Sequence, residues 1–337
     1  MAIGFSRWKR GFLGRFLGNA ASVQYVDRQA AIPQGAGEER ALVWSSRLDE
    51  SLTRHCEAAG RYLWRIEDGF IRSVGLGADL VDPLSLVLDS QGIYYDATRP
   101  SDLESLLENA DMPADLVERA SRLREALVSQ RLSKYNVGNE GRLELPVGRR
   151  ILLVPGQVET DASIRYGSPE LKTNRQLLEA VRAVNPDAFI IYKPHPDVLS
   201  GGRQGVLETG PPDLYDLEVR DIAMPDLLEQ VNEVHTLTSL TGFEALLRGI
   251  PVSTYGLPFY AGWGLTQDSL RCSRRARRRT LDELVAATLI LYPVYVDPES
   301  GDQINAETAV ELLRRARDKG YRRSLKGRLY NLLRRRS

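Results

Sequence analysis

The stretch RILLVPGQVETDAS, residues 150–163, decides the fold. One arginine leads four consecutive apolar residues that end at Pro155-Gly156, the signature of a short strand buried on both faces, as in a parallel sheet. A helical pattern over Leu171–Val184 and a second apolar run, Ala188–Tyr192, follow it. Helix Met224–Gln230, strand Glu233–Thr236, helix Gly242–Arg248 and strand Pro251–Thr254 continue the alternation. The second half therefore predicts a doubly wound parallel sheet. Such sheets bind ligands beyond the carboxyl ends of their strands, so the residues just after those ends are the candidates for function.

Toward the N-terminus, Ala41–Trp44 and Tyr62–Ile66 read as short buried strands with a helix, Leu48–Ala59, between them. Leu86–Asp89 and Ile93–Tyr95 read as a hairpin around Ser90-Gln91-Gly92, and Leu103–Ala110 and Pro113–Gln130 as helices. The polar stretch Asn136–Arg149 holds three glycines and reads as a linker. The chain thus divides into a basic aromatic segment 1–21, an α/β lobe 22–145, a second α/β lobe 146–300 and a helical basic tail 301–337.

The length of 337 residues, with 42% hydrophobic and 27% charged, supports two such lobes, each with its own core. Cys56 and Cys272 form no Cys-x-x-Cys pair and no cluster with the three histidines, so neither a disulfide framework nor a metal site is expected. No apolar run reaches the roughly 20 residues that cross a bilayer, and cations interrupt the N-terminus where a signal peptide needs an apolar core. A reducing, cytoplasmic setting is the expectation.

Net charge is zero, yet residues 1–21 carry four Lys/Arg and no acid, and residues 318–337 carry eight against Asp318 alone. Phe5, Trp8, Phe12, Leu13, Phe16 and Leu17 interleave with the first set, and Leu325, Leu329, Leu332 and Leu333 with the second. Both patterns suit peripheral contact with an anionic membrane, and equally a helix whose apolar stripe packs on the body. Nucleic acid is not expected, since no binding motif accompanies the charge.

Three strand ends carry chemistry in the second half. After residue 154 come Gln157, Glu159, Asp161 and Ser163; after residue 192 comes Lys193-Pro194-His195-Pro196-Asp197, whose prolines present His195 from a rigid turn. After residue 236, Thr238, Ser239 and Thr241 open a helix at Gly242, where amides and hydroxyls suit a phosphate or simply cap the helix. Glu244, one turn on, suits ribose hydroxyls. Together these describe a nucleotide-sugar pocket.

No Gly-x-Gly-x-x-Gly after a strand, no Gly-x-x-x-x-Gly-Lys-Ser/Thr and no Asp-x-Asp occurs, which counts against dinucleotide enzymes, P-loop NTPases and metal-chelated sugar diphosphates. In the first half, Arg65, Glu67, Asp68 and Arg72 lie just beyond a strand. Paired acids beside two arginines suit acid/base work on a carboxylate-bearing sugar, with Arg65 or Arg72 on the carboxylate, or else form a salt-bridged turn. Tyr260 and Trp263 in a glycine-rich turn suit stacking on a base or sugar, or packing.

Eight blocks between residues 60 and 295 carry a resemblance, in order and at similar separations. They are Glu67-Asp68-Gly69-Phe70 with Arg72-Ser73, Pro83–Leu86, Gly92–Asp96, Ser133–Asn136, Gln157 through Gly167, Lys193–Asp197, Gly242–Leu246 and Pro258–Thr266. Together they resemble the KpsC-like capsule polysaccharide β-Kdo transferases. The resemblance implies a GT-B-like α/β fold, two Rossmann-like lobes facing a central cleft, with acid/base and acceptor on the first lobe and the donor on the second.

It further implies CMP-β-Kdo as donor, a lipid-linked Kdo oligosaccharide as acceptor, retained β configuration, no metal or other cofactor, and work beside the capsule export machinery at the inner membrane's cytoplasmic face. By the same resemblance, Asp161 attacks the anomeric carbon, Glu67 or its neighbour Asp68 is the acid/base, and His195 binds the CMP phosphate. Family members resemble two such modules in tandem, and this chain holds one. The alternatives are a transferase for another CMP-activated ulosonic acid, or a non-catalytic glycan-binding assembly subunit.

Overall fold

The computed structural model describes residues 1–18, 23–27, 39–75, 81–199, 205 and 213–319. Leu325, Leu329, Leu332 and Leu333 of the basic tail lie outside them.

Thirteen strands are described. They are β1 Ala2–Ile3, β2 Tyr25–Val26, β3 Arg40–Trp44, β4 Tyr62–Asp68, β5 Ser85–Asp89, β6 Ile151–Pro155, β7 Phe189–Lys193, β8 Leu217–Glu218, β9 Glu233–Thr236, β10 Val252–Thr254, β11 Gln267–Asp268, β12 Pro293–Val296 and β13 Gln303–Ile304. They form an α/β molecule with two sheets, ordered β13-β12-β5-β4-β3-β1-β2 and β11-β10-β9-β6-β7-β8.

Every pairing in the second sheet is parallel. Its strand order reverses between β6 and β9, the switch point at which a doubly wound sheet opens a ligand crevice. The strand and helix positions expected from residue 150 onward match within a few residues; β6 and β7 are apolar runs, and the more polar β9 and β10 lie where the alternation with helices puts them.

The first sheet is mixed, unlike a Rossmann-like lobe. β5 runs antiparallel to β4 and to β12, and β12 antiparallel to β13. The connection from β4 to β5 holds no helix among its described residues, so no crossover unit returns the chain in parallel. Residues 293–304 come back from the second sheet to complete this one.

The expected hairpin at 86–95 does not form. The Asp89 carboxylate accepts the amides of Gln91, Gly92 and Asp102 at 3.0, 2.7 and 3.0 Å and the Tyr292 hydroxyl at 2.7 Å. Those bonds curl residues 90–102 into a loop before a return strand can start, and β5 pairs with β4 and β12 instead.

The helix Arg7–Phe16, capped by Ser6, settles the N-terminal ambiguity toward packing. Phe5, Phe12, Leu13 and Phe16 are buried against Leu42, Trp44, Ile66, Leu86 and Val296. Each buried side chain contributes about 2 kcal/mol. Its apolar stripe is therefore spent on the first sheet and not presented to lipid. A larger core runs between the sheets, with Phe70 and Tyr94 of the first half against Phe243 and Phe259 of the second. Among the described residues, no helix is long and apolar enough to cross a membrane.

Candidate active site

The crevice at the switch point is closed by side-chain bonds across it. Gln157, just after β6, donates from Nε2 to Thr238 Oγ1 at 3.0 Å and accepts the Thr238 amide on Oε1 at 3.0 Å. Its own backbone is clamped by Asn174, whose amide side chain accepts from Gln157 N and donates to Gln157 O. Ser239 caps the helix Leu240–Leu247 by accepting the Thr241 amide at 3.2 Å. Strand ends β6 and β9 are thus tied into one floor.

Asp161 caps the helix Ala162–Gly167, one oxygen accepting the Ser163 amide at 2.9 Å. This bond orients one carboxylate oxygen of a half-buried residue. β6 and β7 pair with Pro155 opposite Lys193, so the Asp161 loop and His195 leave adjacent strand ends. His195 Nδ1 accepts the Asp197 amide at 3.1 Å, so in the neutral ring the hydrogen sits on Nε2. Pro196 opens the short helix Pro196–Leu199 and is exposed.

On the first sheet, Glu67 and Asp68 end β4. Arg72, 1% exposed, donates from Nε to Asp68 Oδ2 at 2.8 Å and from Nη1 to Ser73 Oγ at 2.6 Å. Burial, then the Asp68 charge, pushes the Glu67 carboxyl up to about 7, while Lys9, the Asp68 amide and Lys134 work the other way. Lys9 comes from the N-terminal helix and stands 2.9 Å from the centroid of Trp44. Burial brings its ammonium down to about 8 against the pull of Glu67 and Asp68.

Lys134 sits on the segment between the sheets. Its amide donates to Glu244 Oε1 at 2.9 Å and its carbonyl accepts from Ser73 N at 3.4 Å. Burial works against the Lys134 charge, but Tyr135, Tyr94, Asp68 and Glu67 outweigh it and its pKa lies above the ordinary value. Burial pushes the Glu244 carboxyl upward, against the Lys134 amide and the charges of Arg248 and Lys134.

Tyr95 joins the two sides. Its hydroxyl donates to Ser45 Oγ at 2.7 Å, and its carbonyl lies against Gly167 at the end of the Asp161 helix. Burial raises its pKa first, and the charges of both Glu67 and Asp161 raise it further. Tyr95 therefore spans from Ser45, just after β3, to the end of the Asp161 helix.

Other expected site residues are placed differently. Tyr260 and Trp263 have no exposed surface: Tyr260 donates its hydroxyl to the Ser239 carbonyl and Trp263 Nε1 to Phe259 O, so neither offers a face to a sugar. Gly242 serves Tyr260, since a Cβ there would stand 2.2 Å from the tyrosine oxygen. Lys193 turns its ammonium onto the carbonyls of Arg220 and Ile222 at 2.9 and 2.8 Å. Arg65 donates to Gln91 O and Arg72 is consumed by Asp68, so neither arginine is presented to a sugar carboxylate. Sequence reasoning missed Lys9, Lys134 and Tyr95; the two latter lie inside the blocks 133–136 and 92–96, the only signal available for them.

Among the described residues, no group of three or more His, Cys, Asp and Glu is placed to hold a metal ion.

Comparison with known proteins places the chain in a family. The family model for capsule polysaccharide biosynthesis proteins matches residues 41–295. The capsule polysaccharide modification protein LipA of Neisseria meningitidis is 46% identical over 320 residues, 94% of this chain and 45% of that protein. The lipopolysaccharide-processing protein LpsZ of Rhizobium meliloti is 39% identical over 92% of this chain and 73% of its own length. This chain thus spans about half the length of LipA. Two solved structures of Thermosulfurimonas dismutans KpsC are similar. The β-Kdo 2,4 transferase has a TM-score of 0.84 at 35% identity, covering 93% of this chain and 97% of that one. The β-Kdo 2,7 transferase has a TM-score of 0.73 at 39% identity, covering 94% and 98%. The chain belongs to the KpsC-like family of capsule polysaccharide biosynthesis proteins.

Proposed function

We propose that this chain is a retaining glycosyltransferase of GT-B-like design that moves Kdo from CMP-β-Kdo onto a Kdo-containing glycolipid during capsule polysaccharide synthesis. The observation that carries the reading is Tyr95, whose hydroxyl bonds Ser45 just after β3 of the first sheet and whose carbonyl lies against Gly167, at the end of the helix that Asp161 caps.

In this reading the Asp161 carboxylate attacks the anomeric carbon while the bond to the CMP phosphate oxygen breaks, and CMP leaves with the electron pair. The acceptor hydroxyl then gives its proton to Glu67 and displaces Asp161 from the same carbon. Two inversions restore the β configuration. A carboxyl titrating near 7 suits both halves of such proton traffic. Asp68, held by Arg72, serves as the fixed charge beside it. His195, with hydrogen on Nε2, donates to the departing phosphate, and the Gln157–Thr238 floor holds the nucleotide side.

A lipid-linked acceptor places this work at the cytoplasmic face of a membrane, beside the capsule export machinery. The basic residues of 319–337 suit anionic headgroups there.

The test is CMP release from CMP-Kdo, generated in situ, with a synthetic Kdo acceptor. Turnover is expected in wild type and absent in a folded Asp161→Ala variant, and Glu67→Gln is expected to accumulate a Kdo adduct visible by intact-protein mass spectrometry. Undiminished turnover in Asp161→Ala refutes the nucleophile. Sugar binding without any CMP release points to an assembly subunit, and release only from another CMP-ulosonic acid reassigns the donor.

A further inference from the structure

Trp64 and Glu67 stand three residues apart on β4, so their side chains leave opposite faces of the first sheet. On the Trp64 face the N-terminal helix packs over Trp44, Ile66, Leu86 and Val296, while Trp64 and Leu88 at the margin of that cluster stay only partly buried. Beside them opens a cavity of about 530 Å³, within the size range of ligand pockets.

Its apolar lining includes Trp64, Leu88, Leu106 and Leu291. The Arg40 guanidinium lies 4.4 Å from the centroid of Trp64 and steadies the indole. Leu291 ends the π-helix Ala286–Leu291, whose last turn is held by the Tyr292 amide donating to the Ala287 carbonyl at 3.0 Å, and it remains 42% exposed. Wide turns of this kind recur at functional sites, and this one puts an exposed leucine into the same wall as the tryptophan.

The rest of the lining is polar. Gln91 Nε2 donates to Asp102 Oδ1 at 2.8 Å and to Ser105 Oγ at 2.9 Å, and Asn109 Nδ2 donates to the Ser105 carbonyl at 3.2 Å. These bonds orient the groups and leave others over. Among the described residues nothing takes up Gln91 Oε1, Asn109 Oδ1, the Ser105 hydroxyl hydrogen or the Trp64 indole N–H. Two acceptors and two donors around an apolar wall match a ring bearing hydroxyls, each of which donates and accepts, with C–H faces that pack on indole and leucine. An acyl chain would strand the four polar groups. An anion would meet the Asp102 carboxylate with no Lys or Arg in the lining.

We propose that this cavity is a saccharide site, separate from the crevice at the switch point, that takes one uncharged pyranose ring of a glycan on the face of the first sheet turned away from Glu67. It goes beyond the transferase reading and stands without it.

The probes are methyl β-glucoside, methyl β-galactoside, methyl α-mannoside and methyl β-N-acetylglucosaminide, each titrated into the isotope-labelled full chain. The Trp64 indole N–H peak, one of four in the chain, is assigned by triple-resonance NMR and followed. At least one probe is expected to move it to saturation with a Kd on the order of 1 mM. Asn109→Ala and Ser105→Ala each remove one unused group and are expected to weaken that probe about fivefold, the size of one neutral hydrogen bond. Thermal unfolding establishes that each variant is folded, and where one is not the other carries the test.

No saturating shift with any of the four probes overturns the site, as does equal affinity in wild type and the folded variants. Hexanol and the methyl β-glycoside of Kdo are the controls. Hexanol moving the Trp64 peak more tightly than every pyranoside makes the cavity an acyl site and overturns the proposal, and the Kdo glycoside doing so overturns the uncharged ring. A saturating pyranoside shift in a protein that releases no CMP from CMP-Kdo keeps this site and sinks the transferase reading alone.

Discussion

Arg72 donates from a fully enclosed position to Asp68 across 2.8 Å, and this bond separates the tasks of two carboxylates that are neighbours in the chain. One is tied as a permanent partner to a guanidinium. The other, Glu67, is left to feel its neighbour's charge and the surrounding burial, which together lift it toward neutrality.

Removing that guanidinium strands Asp68 beside Glu67. Arg72→Met is expected to lower stability by about 3 kcal/mol, the low end for a broken buried pair because Asp68 keeps some contact with water. A urea titration measures it, and adding Asp68→Asn is expected to restore part of the loss. Identical midpoints for wild type and Arg72→Met would show the pair to be worth little.

Glu67 gives a pH signature with a definite sign. Its carboxyl sits at about 7 in the folded protein, above the roughly 4.3 of an unfolded glutamate, so folding binds its proton more tightly. The resulting stability is complete below the unfolded value and disappears as pH rises through about 7. Wild type is therefore expected to lose stability relative to Glu67→Gln between pH 5 and pH 8, read as a wild-type urea midpoint that falls progressively below that of the variant. Lys9→Met moves that titration to higher pH, since the Lys9 charge holds the carboxyl down. A difference that stays flat across the window contradicts the assignment.

Gly242→Ala tests the role of the glycine at the switch-point helix. The new methyl would meet the Tyr260 oxygen at 2.2 Å, and that hydroxyl is bonded to the Ser239 carbonyl. Overpacking of this kind costs about 1–3 kcal/mol. Thermal unfolding is expected to show it, with partial relief in the double variant Gly242→Ala/Tyr260→Phe. A Gly242→Ala protein as stable as wild type argues that the turn can shift.

The N-terminal helix is expected to behave as core. Phe12→Ala should cost about 3–5 kcal/mol, and deletion of residues 1–18 should uncover Trp44, Ile66 and Val296 and make the chain a ready substrate for limited proteolysis. A deletion variant that resists protease like wild type and differs only in liposome binding would restore the membrane reading of this segment.

The centre of the second sheet was legible because β6 and β7 are short apolar runs closed by turn formers, while the two-residue strands β8 and β11 hold no pattern to read. Gln157 and Thr238, thus read as sitting at strand ends, turn out to touch. The first sheet was less so. Asp89 binds three amides that a hairpin would have left to strand pairing, and no local pattern announces that its side chain reaches Asp102. Tyr260 and Trp263 read as exposed because their neighbours are glycines, yet those glycines make room for close packing around them. Lys9 was invisible for a different reason. Its seat over Trp44 depends on β1 pairing beside β3, a long-range register that periodicity within any window does not contain.

The late return of β12 has a consequence for synthesis. β5 acquires its second neighbour only when residues 293–296 emerge, so for most of translation the backbone of Ser85–Asp89 is an open edge able to recruit a stray strand. The helix Arg7–Phe16 also waits, because Arg15 donates to the Pro298 carbonyl and the Phe16 carbonyl accepts from Gln303. A nascent chain halted at the 136–149 segment would carry the Glu67 carboxylate on a sheet that cannot yet close.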